Sequence, residues 1–266
     1  MTASNFEFNG KQLSDFGMIL CHFGSGGLET VSGTQVTFNT VPVLNGQRHE
    51  LIDVQYENCL EATFQICKYS CGNDTQEITS SEYREIAKWL SRKKFVKLKI
   101  LDGDTMDIYY MATFDNISRI ELDGRLYGLE LHVITNAPYA FKDPQIITIN
   151  NTEVNGVHSV NDTSHEEGFI YPHIEIAMKQ SGNLTIYNAI ENRRTEIKNC
   201  EAGEVITMDY PIISTNSTSL TRNIQNDFNW KFLRLANSYD KSRNDLTISL
   251  PCTIKMTYSP IVKVGL

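Results

Sequence analysis

The sequence predicts a mainly β chain in two parts: an α+β first part carrying one helix, and an all-β second part. Three observations lead there. Runs of alternating apolar and polar residues recur along the 266 residues, one stretch has helical spacing with a capping signal, and a proline-bounded segment interrupts the pattern near residue 145.

The alternation starts at Phe6, Glu7 and Phe8 and resumes in residues 35–43 and 60–69. In the last run Leu60, Ala62, Phe64 and Ile66 share one face, with Glu61, Thr63 and Gln65 on the other, which is the pattern of a half-buried antiparallel strand. The helix is expected from about Thr79. Thr79 and Glu82 have capping-box spacing, Tyr83, Ile86, Ala87 and Leu90 recur on one helical face, and Arg92, Lys93 and Lys94 put positive charge at the C-terminal end. Such a helix should lie flat on a sheet. Two hairpins follow. Val96, Leu98 and Ile100 lead to a turn at Asp102-Gly103 and return through Ile108, Tyr110, Ala112 and Phe114; residues 117–122 and 125–135 flank Asp123-Gly124, which suits the two positive φ angles of a type I′ turn.

Pro138 and Pro144 cannot donate to a sheet ladder, and a polar stretch, 150–168, comes soon after. The expected domains are therefore 1–144 and 145–266. Past this point only strand patterns are read, at 173–177, 184–188, 196–199, 203–208, 211–214, 229–232, 245–250 and 252–258, with Ser181-Gly182-Asn183 as a turn. Short strands at such spacing describe an antiparallel sandwich.

Composition narrows the function. Apolar residues make up 41% and charged residues 21%, enough for packed cores, while the net charge of −8 lacks the basic footprint of a nucleic-acid binder. No stable nucleic-acid binding is expected, and no membrane insertion, since no run approaches the roughly 18 apolar residues of a span. Residues 1–9 lack the features of a signal peptide, so synthesis in a cytoplasm is expected, with the six cysteines (21, 59, 67, 71, 200 and 252) reduced. The Asn-x-Ser/Thr triplets at Asn73, Asn116, Asn183 and Asn216 then read as turn and strand residues, not glycan acceptors.

Candidate chemistry is sparse. His158, Asp162, His165, Glu166 and Glu167 form the densest group of potential ligands, but their spacing fits no helix-borne site and reads as a solvated loop. Cys67 and Cys71, with His22, lack the second cysteine pair of a zinc ribbon. Phe23-Gly24-Ser25-Gly26-Gly27 has neither the spacing of a nucleophile elbow nor the Gly-Lys-Ser/Thr of a phosphate loop. The carboxylate pairs Asp102/Asp104 and Glu166/Glu167 read as solvated turns rather than a glycosidase dyad. Trp89, Trp230 and the twelve tyrosines read mainly as core or interface residues, with a sugar-stacking platform as the minor reading. The expectation is no catalytic residue, no metal and no cofactor, hence no enzyme.

The opening Phe6-Glu7-Phe8-Asn9-Gly10, followed by Leu13-Ser14-Asp15-Phe16-Gly17-Met18, resembles the start of phage distal tail proteins. Similar to that family too are the single helix, Asn136-Ala137-Pro138-Tyr139-Ala140 at the domain exit, Tyr171-Pro172-His173 in the second part, and the ending Thr257-Tyr258-Ser259-Pro260. Asp227-Phe228-Asn229-Trp230 stands where the family more often has Phe-Pro. The resemblance implies an N-terminal split-barrel or β-sandwich domain that forms a hexameric ring, and a C-terminal galectin-like antiparallel sandwich. It implies a structural component of the virion tail, the hub joining tail tube to baseplate or tail tip, with Phe6, Phe8, Asp15, Phe16 and Gly17 as assembly motif. The partners it implies are further copies of the chain, the tail tube protein, a tail-tip or tail-associated protein and a receptor-binding protein. The alternative is a carbohydrate- or receptor-binding module of a tail tip. A cell-wall hydrolase would need a convergent acid/base pair, which the sequence does not display.

Overall fold

The structure, a computed structural model, describes residues 5–23, 36–43, 46, 48–69, 75–101, 103, 106–219, 221–238 and 241–263. The chain divides into two compact units, one comprising Met1–Lys142 with Val262–Leu266, the other Asp143–Ile261. The segments expected from the prolines, 1–144 and 145–266, assign the chain's end differently: Val262 is buried in the first core.

The first unit holds β1 (Phe6–Phe8), β2 (Lys11–Gln12), β3 (Met18–Cys21), β4 (Val36–Pro42), β5 (His49–Tyr56), β6 (Glu61–Lys68), α1 (Ser80–Leu90), β7 (Val96–Ile100), β8 (Ile108–Leu122), β9 (Arg125–Thr135) and β10 (Ala140–Lys142). Its main sheet runs β2-β1-β7-β8-β9-β6-β3. In β7, Val96, Leu98 and Ile100 are buried and the two lysines between them are half-buried, so the alternation seen in the sequence is the face that meets the core. The turn joining β8 to β9 has φ of 51° at Asp123 and 73° at Gly124, as a type I′ turn requires. Helix α1 starts with the expected reciprocal cap: the Thr79 hydroxyl accepts from the backbone of Glu82 at 3.3 Å, and the Glu82 carboxylate accepts from the backbone of Thr79 at 2.8 Å. The helix buries Ile86, Trp89 and Leu90 in the same core as the sheet.

The second unit holds β11 (Gln145–Asn151), β12 (Gly156–Asn161), β13 (Gly168–Ile170), β14 (His173–Met178), β15 (Gly182–Asn188), β16 (Arg193–Cys200), β17 (Val205–Asp209), β18 (Ile212–Thr215), α2 (Ile224–Asp227), β19 (Leu235–Asn237), β20 (Arg243–Ile248) and β21 (Cys252–Tyr258). A five-stranded antiparallel sheet, β11-β21-β14-β17-β18, and a four-stranded one, β12-β20-β15-β16, contribute Ile174, Ile176, Ile254 and Met256 on one side and Ile186, Ile197, Leu246 and Ile248 on the other to one core. The smaller pair β13-β19 lies outside both.

Two readings of this region need correction. Residues 229–232 are not a strand: Trp230 has φ of 58°, which no extended chain adopts, and α2, missed by periodicity because it is four residues long, precedes them. The polar stretch 150–168 is in part sheet. It contains β12, the end of β11, and the buried polar residues Asn151 and Asp162.

A buried ion group anchors the long connection after β18. Arg222, its side chain 1% exposed, donates to Glu204 at 2.8 Å, to Asp227 at 2.6 Å and to the carbonyl of Lys198 at 2.7 Å. Burying charge is costly unless it is paired, and here Nε and Nη1 of one guanidinium engage two carboxylates and a carbonyl, while the buried Nη2 has no hydrogen-bond partner among the described residues.

Candidate assembly surface

The N-terminal segment is consumed by its own unit. Phe6 and Phe8 are fully buried. The ring of Phe6 stacks on that of Trp89 at 5.6 Å and also meets Phe64 and Phe114, while Phe8 presents an edge to Phe114 at 4.9 Å. Phe16 stacks on Trp89 at 4.5 Å. Asp15 and Gly17 do turn chemistry: Asp15 accepts from the backbone of Gln12 at 2.8 Å, closing a short 3-10 turn over Leu13–Phe16, and Gly17 ends it with φ of 68°, donating to Ser14 at 3.0 Å. Phe6, Phe8 and half-buried Phe16 thus meet at Trp89 of α1, while exposed Asp15 and Gly17 shape the turn that leads into β3. What brings them together is the pairing of β1 with β7, which the sequence pattern does not reveal.

The exposed apolar surface of this unit lies elsewhere. Strands β4 and β5 pair only with each other among the described residues. Their register sets Phe38 opposite Val54 and Thr40 opposite Leu51, with Ile52 the extra residue of a bulge. Residues opposite each other share a face, so Phe38, Val54 and Leu51 stand together, beside Ile52. They are 64%, 43%, 54% and 65% exposed, respectively. The other face carries Thr37, Asn39, Asp53, Gln55 and Glu50, with Val41 its one apolar residue among these pairs. Sequence reading recognised β4 but missed β5; the alternation in His49–Tyr56 is blurred by that bulge.

Electrostatics in the unit favour a fixed scaffold. Lys68 reaches the Glu82 carboxylate at 2.8 Å and the Glu77 carbonyl at 3.1 Å, tying β6 to the start of α1. Burial pulls the Glu82 carboxyl up, but the hydrogen bonds from Lys68 and Thr79 outweigh it and hold it below the usual carboxylate range. Three thiols are poorly suited to nucleophilic work: burial and the neighbouring Cys67 push Cys21 up, and burial pushes Cys200 up and Cys252 up to about 11.

The other candidate residues do not converge. His158 lies on β12 and bonds the Asn151 side chain at 3.0 Å, while Asp162 is buried and accepts from the backbone and hydroxyl of Ser164. Among the described residues, no three His, Cys, Asp or Glu side chains are placed to hold a metal ion. No helix there is long and apolar enough to cross a membrane. Gly24 to Gly27, Cys71, Asp102 and Asp104 lie outside the described residues.

The sequence profile of a phage tail protein N-terminal domain matches residues 1–137, and that of a phage tail C-terminal domain matches residues 139–258. The chain belongs to this phage tail protein family. It is a component of the virion tail. No curated protein sequence matches it significantly. Among solved structures, the Dit (gp19.1) protein of phage SPP1, described as a paradigm of the hub adsorption apparatus in phages infecting Gram-positive bacteria, superposes with a TM-score of 0.66 at 12% identity, over 96% of this chain and 98% of that one. This tail protein thus has the Dit fold, in which a mainly β first unit with one helix precedes an antiparallel sandwich.

Proposed function

We propose that this tail protein is a distal tail hub: copies of the chain, six by analogy with the family, join through their first units into a ring that links the tail tube to the baseplate or tail tip. The observation that carries the reading is the β4–β5 ribbon. A two-stranded ribbon alone is marginal in water, and its apolar face would be an aggregation hazard on a free monomer. Burying each of Phe38, Leu51, Ile52 and Val54 on a neighbour would contribute roughly 1.5–3 kcal/mol. A face on one copy meeting a different patch on the next is the heterologous contact from which closed rings are made. In this reading Phe6, Phe8, Asp15, Phe16 and Gly17 serve assembly from inside, by holding the rigid domain that presents the ribbon. The tail tube protein and a tail-tip or receptor-binding protein are the proposed axial partners, and the reading assigns the chain no catalysis.

Light scattering of the full-length protein at high concentration tests it. The expected result is a species of six chain masses, reduced to monomer by Phe38→Ser with Ile52→Ser while melting of the second unit stays unchanged. A wild-type protein that remains monomeric, or a double variant that keeps the full mass, would overturn the proposal.

A further inference from the structure

Three aromatic side chains of the second unit stand half out of the surface although that unit has its own closed core. Phe169, Tyr210 and Trp230 are 51%, 56% and 55% exposed. They come from β13, from the turn between β17 and β18, and from the connection between α2 and β19, yet the fold joins them in one cluster. Phe169 meets Tyr171 at 5.6 Å, Tyr171 stacks on Tyr210 at 4.1 Å with planes 12° apart, and Tyr210 and Trp230 both abut the buried ring of Phe232, at 5.3 and 6.4 Å. Tyr210 and Trp230 are therefore no farther apart than those last two distances combined.

Each ring is held in place. Trp230 has φ of 58°, a left-handed backbone that a bulky residue rarely adopts and that the surrounding contacts must enforce. Its indole N–H donates to the carbonyl of Gln225 at 3.2 Å, and the side chain of Asn229 donates to the carbonyl of Arg194 on β16 and accepts from the backbone N–H of Lys231. The guanidinium of Arg234 lies 3.6 Å from the centre of the Phe169 ring, donates to the Tyr171 hydroxyl at 3.3 Å and pairs with Glu191 at 2.6 Å.

We propose that this platform binds an uncharged polysaccharide. A sugar ring offers a patch of C–H on its face and hydroxyls at its rim. It is matched by flat, rigid aromatic faces with polar groups between and around them, and fixing the rings beforehand lowers the ordering cost of binding. A neutral polymer is favoured because Arg234, the cation packed on the Phe169 ring, is already paired with Glu191 and the chain carries a net charge of −8, which repels anionic glycopolymers. A protein partner is disfavoured because Lys and Asp are depleted from the cores of protein interfaces, whereas exposed Lys231 and Asp209 directly adjoin Trp230 and Tyr210 in the chain.

The protein has two tryptophans, Trp89 buried at 3% exposure and Trp230 at 55%, so a shift in intrinsic emission reports on Trp230. The full-length protein is titrated with short neutral oligomers of glucose, galactose and N-acetylhexosamines. The expected result is a saturable blue shift and protection from acrylamide quenching with at least one series. By an independent binding measurement, Trp230→Ala and Tyr210→Ala should each weaken that binding about tenfold or more, without changing melting or native mass. The proposal is overturned if no series shifts the emission at millimolar concentration, or if either variant binds like the wild type. It is equally overturned if the two variants keep glycan binding and instead lose co-sedimentation with another tail protein. Native mass is read separately, so failure here and failure of the ring are distinguishable.

Discussion

The indole N–H of Trp89 donates to the carbonyl oxygen of Phe8 at 2.9 Å, a buried bond between residues 81 positions apart. With the stacking of Phe6 and Phe16 on the same ring, it closes α1 over the first strand of the sheet and makes the N-terminal segment part of the first core.

Truncating Phe6 to Ala should therefore destabilise the first unit by about 3–5 kcal/mol, as for other buried aromatic truncations. Trp89→Phe keeps an apolar ring but removes the indole bond to the Phe8 carbonyl, and should cost about the 0.5–1.5 kcal/mol of one buried hydrogen bond. Calorimetry of the full chain should show both losses in the transition of the first unit, with that of the second unit unmoved.

The depressed carboxyl of Glu82 makes part of the first unit's stability acid-sensitive. Its folded pKa lies below the ordinary value of 4.5, so its contribution is fully present above about that pH and is lost as pH falls through the lower, folded value. Glu82→Gln should thus lower stability near neutrality and flatten the decline below pH 4.5. Denaturant melts across that range would show the wild-type and variant curves converging with acid; parallel curves would sink the assignment.

Arg222 is the reciprocal case in the second unit. Arg222→Ala strands the buried carboxylate of Glu204 and should destabilise by about 3–5 kcal/mol, whereas Arg222→Met combined with Glu204→Met removes both charges and should cost much less. A double-mutant cycle on the melting of the second unit measures the difference.

Thiol chemistry should report the same burial. At pH 8 a thiol reagent should label exposed Cys59 promptly. Cys200 and Cys252, 2% and 0% exposed, should react only on unfolding, since burial also pushes their pKa values up. Prompt labelling of either would contradict the closed second core.

Local chemistry was legible wherever it is spent within a few residues. The cap of α1 needs only Thr79 and Glu82, the type I′ turn only Asp123-Gly124, and the inward faces of β6 and β7 only the two-residue period of a strand. Residues 229–232 misled because Asn-Trp-Lys-Phe alternates like a strand, while the surroundings hold Trp230 in a left-handed backbone. The missed β5 and the short α2 carry patterns too interrupted or too brief for periodicity to find.

The sequence by itself thus determined the β content, the single long helix and, through its resemblance, the tail family, because those depend on periodicities and motifs contained in short stretches. Only the tertiary structure decided that Phe6 and Phe8 are buried in their own unit, that Phe38, Leu51, Ile52 and Val54 of the β4–β5 ribbon are exposed, and that Phe169, Tyr210 and Trp230 share one surface. Those facts rest on strand order and register between segments tens of residues apart, and the two-residue period of a strand is the same whichever neighbour it pairs with.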